Sequence, residues 1–119
     1  MSEETLDRIE LTVSISGVHD LRPILRLALN ETIGLDATEA RAESPALLEP
    51  ATKAPVVAWV GQGERAEFVR QSELLANVWT GLGARITCVV EPDRHHFDVV
   101  EGLADPASPL TTALLAPNG

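Results

Sequence analysis

Carboxylates and imidazoles cluster at the ends of three runs of the sequence that have the pattern of β-strands. They lie in "SGVHDL", "GQGERAEF" and "EPDRHHFDVV", and the titratable members are His19, Asp20, Glu64, Glu67, Asp93, His95, His96 and Asp98. Imidazole and carboxylate groups commonly transfer protons in catalysis. If the three strands are parallel, their carboxyl ends share one edge of a sheet, so we expect these groups to lie on one rim.

Glu64 and His96 are the combination with the clearest chemical meaning. A carboxylate after one strand and a histidine after the next have the order of the last two members of a Ser, Asp/Glu, His triad. In a triad the carboxylate holds the imidazole in one tautomer and stabilises its cation while the imidazole takes a proton from the nucleophile. Such spacing also arises by chance. Whether the two side chains meet depends on the strands that precede them.

Three segments predict the strands of one sheet. Residues 9–16 alternate between apolar and polar side chains, which is typical of a strand with one face toward water. Residues 54–61 form a continuous apolar run closed by glycine, which is typical of a strand covered on both faces in a parallel sheet. Residues 85–92 predict the third strand.

Helical segments alternate with these strands. Four are predicted from caps or apolar stripes, over residues 20–28, 37–43, 66–80 and 108–115. Asp20, Asp36 and Ser108 are the predicted N-caps, and Pro109 suits a first helical position. The resulting βαβαβα order predicts an α/β fold, a three-stranded parallel sheet with flanking helices.

Composition and charge limit the class of protein. With 119 residues, the chain is long enough for one domain over residues 1–119, and its low aromatic content of 3% requires a core of Leu, Val, Ile and Ala. The net charge of −9 disfavours nucleic acid as a partner. The start has no signal-peptide pattern, and no apolar run approaches the roughly 18 residues of a membrane span, so we expect a cytoplasmic protein without membrane contact.

Most of the chain resembles the C-terminal part of an α/β hydrolase of the arylformamidase (kynurenine formamidase) and carboxylesterase type. The stretches that carry the resemblance are "ISGVHDLRPIL", "LNETIGLDATEARAESP", "PVVAWVGQGERAEFVRQSELLANVW" and "HHFDVVEGLADPASPLTTALL". Their order matches the family from strand six to the final helix. The resemblance implies a partial α/β-hydrolase fold and a hydrolase of acyl esters or N-formyl amides that uses no cofactor.

Matched residue by residue, the resemblance implies that Glu64 is the triad acid, where the family more often has Asp, and that His96 is the base. Glu67 is the alternative acid, and His95 has no role. No H-E-x-x-H or comparable ligand spacing occurs, so we expect no metal site.

The sequence lacks the G-x-S-x-G and H-G-G motifs that supply the nucleophile and the oxyanion donors in this family. The isolated chain is therefore expected to be inactive. Its expected partner is a complementary N-terminal half or, through the edge of the first strand, a second copy. A non-catalytic half-fold used for association is an alternative, which the polar positions of the first strand favour. A truncated product of a longer enzyme is a third possibility.

The candidate residues also have purely structural interpretations. Glu64 could simply be an exposed acid that interacts favourably with the positive end of the following helix dipole. His96 could simply be a loop histidine that bonds a neighbouring carboxylate such as Asp98. His95 is expected to face solvent. Cys88, Trp59 and Trp79 lie in apolar patterns and are expected to be core residues.

Overall fold

One parallel sheet organises the protein. The computed structural model describes residues 2–51 and 53–115. Its strands are β1 (Thr12–Ile15), β2 (Val56–Gly61) and β3 (Ile86–Glu91), arranged in the order β1-β2-β3. Both pairings are parallel, and Val56 lies opposite Thr12 on one side and Ile86 on the other. The predicted α/β fold with three parallel strands is confirmed.

Helices connect the strands and lie around the sheet. The α-helices are α1 (Glu3–Asp7), α2 (Asn30–Ile33), α3 (Ala37–Ala42), α4 (Ala66–Gly81) and α5 (Pro109–Leu115), and 3-10 helices cover Arg22–Arg26, Pro45–Leu47 and Val99–Ala104. Helix α4 packs against β2 and β3. Asp36 and Ser108 accept the predicted capping bonds, from the backbone N–H of Glu39 at 2.8 Å and of Thr111 at 3.1 Å. Among the described residues, no helix has the length and apolar character needed to cross a bilayer.

The segment after β1 differs from the prediction of one α-helix over residues 20–28. The Asp20 carboxylate accepts the backbone N–H of Arg22, only two residues on, at 3.0 Å, and also pairs with the Arg22 guanidinium at 2.8 Å. This local turn is typical of aspartate and leads into a 3-10 helix instead of capping an α-helix. Leu27 is then extended, with φ −93° and ψ 147°, so the helical stripe is interrupted there.

The ends of the elements and three short helices also differ from expectation. The first strand covers Thr12–Ile15 instead of residues 9–16, because its pairing with β2 begins opposite Val56. Helix α1, helix α2 and the 3-10 helix Pro45–Leu47 were not predicted. Helices α1 and α2 bury no residue, so they leave no apolar stripe in the sequence.

The core lies where the sheet meets α5 and the 3-10 helix before it. Its buried members are Trp59, Val99 and Leu110, with partly buried Val13, Ile15, Val57, Val89 and Ala113 around them. The Trp59 indole donates to Glu91 Oε1 at 3.1 Å, so its polar atom is satisfied inside the core. Trp79 is half-buried and donates to the carbonyls of Pro45 and Leu48. Cys88 is only half-buried, and burial raises the pKa of its thiol.

Leu110→Ala is expected to lower the free energy of unfolding by about 2–5 kcal/mol, because Leu110 is fully buried and its removal leaves a cavity beside Trp59 and Val99. Urea unfolding followed by tryptophan fluorescence measures the change. Leu115→Ala is the matched control in the same helix, since Leu115 is 77% exposed and its loss should change the free energy by less than about 0.5 kcal/mol. Equal effects of the two changes would contradict this description of the core.

Candidate active site

Glu64 and His96 meet at the carboxyl edge of the sheet. Glu64 follows the end of β2, and His96 lies in the loop after β3. The two strands are parallel neighbours, so both loops leave the same edge. His96 Nδ1 lies 2.8 Å from Glu64 Oε1, which is hydrogen-bonding distance.

Three donors surround the Glu64 carboxylate. Its side chain is 0% exposed. The Ser16 hydroxyl donates to Oε2 at 2.6 Å and the Gly61 backbone N–H donates to the same oxygen at 2.7 Å, while Oε1 faces His96. Burial by itself raises the pKa of Glu64, but the hydrogen bonds from Ser16, Gly61 and His96 together outweigh it and hold the pKa below its ordinary value. Glu64 is therefore a carboxylate at neutral pH.

The ionised state of Glu64 determines the tautomer of His96. A carboxylate can only accept hydrogen bonds, so the proton of the neutral imidazole lies on Nδ1. Nε2 then carries a lone pair and can accept a proton. The His96 side chain is 41% exposed, so this arrangement suits a general base that is open to a ligand. The Phe68 ring stacks on the imidazole with a centroid distance of 4.5 Å and an interplanar angle of 25°.

Glycines allow the histidine loop to approach the end of β2. Gly63 N–H donates to the Arg94 carbonyl at 2.8 Å. A Cβ on Gly61 would lie 2.5 Å from the same carbonyl oxygen, too close for any other residue without movement. Asp93 turns the chain with a φ of 62°. The loop from Asp93 to His96 thus reaches Glu64 through backbone contacts that only glycine permits at position 61.

A pocket opens beside His96. It has a volume of about 310 Å³ and is lined by Gly63, Glu64, Arg65, Phe68, His95, His96 and Phe97. Phe97 is 83% exposed and meets the His96 ring edge-on at 5.5 Å. A pocket of this size, lined by both aromatic and ionisable side chains, can hold part of a small organic molecule.

The neighbours of the pair are engaged elsewhere. Glu67, the alternative acid, bonds the Arg70 guanidinium at 2.6 Å and the Gln71 amide at 2.8 Å, and not His96. His95 faces solvent as expected. The carboxylate of Asp98, considered as a partner for His96, instead lies 3.3 Å from His95 Nε2. The structure therefore pairs His96 with Glu64 and His95 with Asp98.

His19 and Asp20 form a separate cluster under the start of α4. Gln71, which no sequence pattern identified, accepts the backbone N–H groups of both residues, at 2.9 and 2.7 Å, and donates to the Asp20 carbonyl at 2.9 Å. His19 is only 6% exposed, and its Nε2 lies 3.3 Å from the Ser14 hydroxyl. Asp20 pairs with Arg22, as described above. These contacts support the fold, and none of them reaches Glu64 or His96.

Acid is expected to destabilise the protein through His19. Burial lowers the pKa of His19 in the folded chain, whereas the unfolded chain keeps a value of about 6.5. As the pH falls below about 6.5 the unfolded chain binds a proton that the folded chain does not, so unfolding becomes more favourable. Urea unfolding at pH 7 and pH 5 should show this loss of stability. His19→Gln should reduce the difference between the two pH values; an unchanged difference in this variant would contradict the assignment.

Ser16 is the functional candidate that sequence reasoning missed. The alternating pattern of residues 9–16 predicts that Ser16 and Ser14 lie on the water-facing side of the first strand. Both hydroxyls in fact point at buried partners, Ser16 at Glu64 and Ser14 at His19. Ser16 bonds the acid and not His96, so it is not placed as the triad nucleophile. The signal in the sequence was the serine–glycine pair at a strand end, where tight turns form.

The described residues contain no group of three or more His, Cys, Asp or Glu side chains placed to hold a metal ion. Two ionisable groups that line the pocket, Glu64 and His96, instead form a hydrogen-bonded pair. The carboxylate is buried and ionised, and the imidazole is oriented and open on one side.

Two known proteins with similar sequences are named kynurenine formamidases. The chain is 33% identical over 107 residues to a kynurenine formamidase of Salmo salar and 28% identical over 106 residues to a kynurenine formamidase of Danio rerio. Each match covers 85% of this chain and 36% of the relative, so the chain spans about a third of the length of the curated relatives it matches. No family model matches.

A solved structure is similar over nearly the whole chain. It is a crystal structure of a protein from Silicibacter sp. whose description as a thioesterase is provisional, with a TM-score of 0.88 and 38% sequence identity. The match covers 97% of this chain and 42% of that protein. The chain thus has an α/β, hydrolase-like fold and is similar to part of the kynurenine formamidases.

Proposed function

We propose that this chain is the C-terminal portion of a serine hydrolase that acts on acyl esters or N-formyl amides. Glu64 is the triad acid and His96 the triad base. The observation that carries the proposal is the 2.8 Å bond between a buried carboxylate and an imidazole whose other nitrogen is free beside a pocket. The similarity to kynurenine formamidases over 85% of the chain supports this substrate class.

The proposed mechanism uses His96 twice. As the serine hydroxyl of a complementary segment attacks the acyl carbon, Nε2 of His96 takes its proton, and Glu64 stabilises the imidazolium. His96 then gives the proton to the leaving alcohol or amine, which departs and leaves an acyl-serine. A water molecule attacks that ester with His96 as base again, releasing the acid and restoring the serine.

The nucleophile and the oxyanion donors must come from a complementary N-terminal half. Oxyanion donors alone contribute roughly 10²–10³ in turnover, so the isolated chain is expected to hydrolyse neither class of substrate. Strand β1 lies at the edge of the sheet in the described residues, with β2 on its other side. The complementary half is proposed to pair with this open edge.

A chimera tests the proposal. Residues 12–115 of this chain would replace the segment they match in the Silicibacter sp. protein, and hydrolysis of an aryl ester and of N-formylkynurenine would be measured. We expect activity from the chimera and none from the isolated chain. A chimera that is folded by circular dichroism and sedimentation, yet hydrolyses neither substrate, would contradict the proposal.

A second candidate function is association without catalysis, which the open edge of β1 favours. A homodimer through this edge is the specific form of that candidate. The polar side of β1 gives this candidate little support, because the Ser14 and Ser16 hydroxyls bond the interior groups His19 and Glu64. Sedimentation equilibrium of the isolated chain at micromolar concentration distinguishes the two, because a monodisperse monomer excludes the homodimer.

A further inference from the structure

The turn after β1 has an unusual backbone conformation at Ser16. Its φ of 52° lies in the left-handed region, which residues with a Cβ rarely adopt. The Ser16 N–H donates to the Trp59 carbonyl at 2.7 Å, the hydrogen bond that follows the last residue of β1. The chain turns at once at Gly17, where a Cβ would lie 2.6 Å from the Ser14 hydroxyl. An unfavourable conformation at a strand end calls for a compensating contact.

That contact is the bond from Ser16 to Glu64. The Ser16 hydroxyl and the Gly61 N–H both donate to Oε2, at 2.6 and 2.7 Å, and leave Oε1 to His96. The two oxygens of the carboxylate therefore have different partners. Hydrogen bonds to a charged acceptor inside a protein are shorter and stronger than neutral ones, so Oε2 is held firmly.

We propose that Ser16 is a positioning residue for the triad acid: its hydroxyl anchors one oxygen of Glu64 and keeps the other aimed at His96. The catalytic meaning of this role rests on the proposed function, whereas the anchoring of Glu64 by Ser16 does not. A glutamate has one more rotatable bond than the aspartate that is more usual in such triads. An anchor on Oε2 restrains that extra freedom, which is why a hydroxyl is useful here.

The same hydroxyl favours the ionised form of Glu64 inside a site where burial favours the neutral form. The groups that face the carboxylate are Ser16 from the end of β1, Gly61 from the end of β2 and His96 from the loop after β3. Arg65 and His95 also line the pocket. Of these, Ser16 can be changed without altering a charge or the histidine loop.

The test is a titration of the isolated chain, which needs no catalytic activity. The carboxyl carbon of Glu64, labelled with ¹³C, is followed by NMR as the pH is lowered, and the Nδ1 proton of His96 is recorded near neutral pH. In Ser16→Ala we expect the proton affinity of Glu64 to rise by about tenfold and the Nδ1 proton signal to broaden or shift upfield. Ser16→Gly should have the same two effects. Glycine also adopts the positive φ at this position without steric cost, so this variant keeps the test valid if the alanine variant does not fold.

Ser14→Ala is the matched control, since Ser14 lies on the same strand and its hydroxyl faces His19. It should leave the Glu64 titration unchanged. A Glu64 titration in Ser16→Gly equal to that of the unmodified chain would overturn the proposal. If the titration shifts as expected while the chimera described above is inactive, the anchoring role stands and only the hydrolase function falls.

Discussion

His96→Ala is expected to lower kcat/KM of the completed enzyme by roughly 10⁴-fold or more for both the aryl ester and N-formylkynurenine. The reason is that His96 takes the serine proton in the proposed mechanism, in which its Nδ1 stays bonded to Glu64. Without the imidazole the serine stays protonated at neutral pH and is a poor nucleophile. Steady-state kinetics of the chimera measures the change. Tryptophan fluorescence checks that the variant and the unmodified chimera are compared at equal concentrations of folded protein.

His95→Ala is the matched control for this prediction. His95 is the adjacent residue on the same loop and lines the same pocket, but it pairs with Asp98. Its replacement should change kcat/KM by less than tenfold. Activity that survives His96→Ala, or an equal loss in both variants, would remove the triad assignment.

Gly61→Ala is expected to have the second large effect, on stability and on the site together. A Cβ at this position would lie 2.5 Å from the Arg94 carbonyl oxygen and 2.8 Å from the carbonyl carbon, both backbone atoms that cannot rotate away. The histidine loop must move, at a cost of roughly 2–3 kcal/mol in the free energy of unfolding. That movement carries His96 away from Glu64, so the NMR signal of the His96 Nδ1 proton should disappear.

Gly81→Ala provides the comparison, because no described residue outside its own helix turn and chain neighbours lies within 4 Å of a Cβ at Gly81, the last residue of helix α4. Alanine favours a helix over glycine, so this change should be neutral or stabilising by about 0.5–1 kcal/mol. Urea unfolding of both variants gives the free energies. If Gly61→Ala were as stable as Gly81→Ala and kept the Nδ1 signal, the close approach of the histidine loop to β2 would be wrong.

Glu64 and His96 both belong to this chain, whereas the nucleophilic serine of the proposed triad does not. The acid, its anchor and the imidazole all lie on loops that leave one edge of three strands. This part of the site can therefore be studied by titration before any complementary segment is known. The serine and the oxyanion donors of the proposed triad are assigned to the proposed complementary half.

The amino-acid sequence by itself determined the strands β2 and β3, helix α4 and the caps at Asp36 and Ser108. These features depend on apolar periodicity and on bonds between residues close in the chain, so a single sequence contains the information. It also determined that an acid and a histidine follow neighbouring strands. The fold class follows from that order, because short connections allow few arrangements of such elements.

Only the tertiary structure decided which side chains meet. Glu64 and Glu67 are both acids after β2, and only the path of the histidine loop over Gly61 brings one of them to His96. The hydroxyl of Ser16 was indistinguishable from a water-facing serine until the register of β1 against β2 placed it beside Glu64. Contacts between residues distant in the chain depend on register and on loop closure to within about an ångström, which local patterns of residue type do not encode.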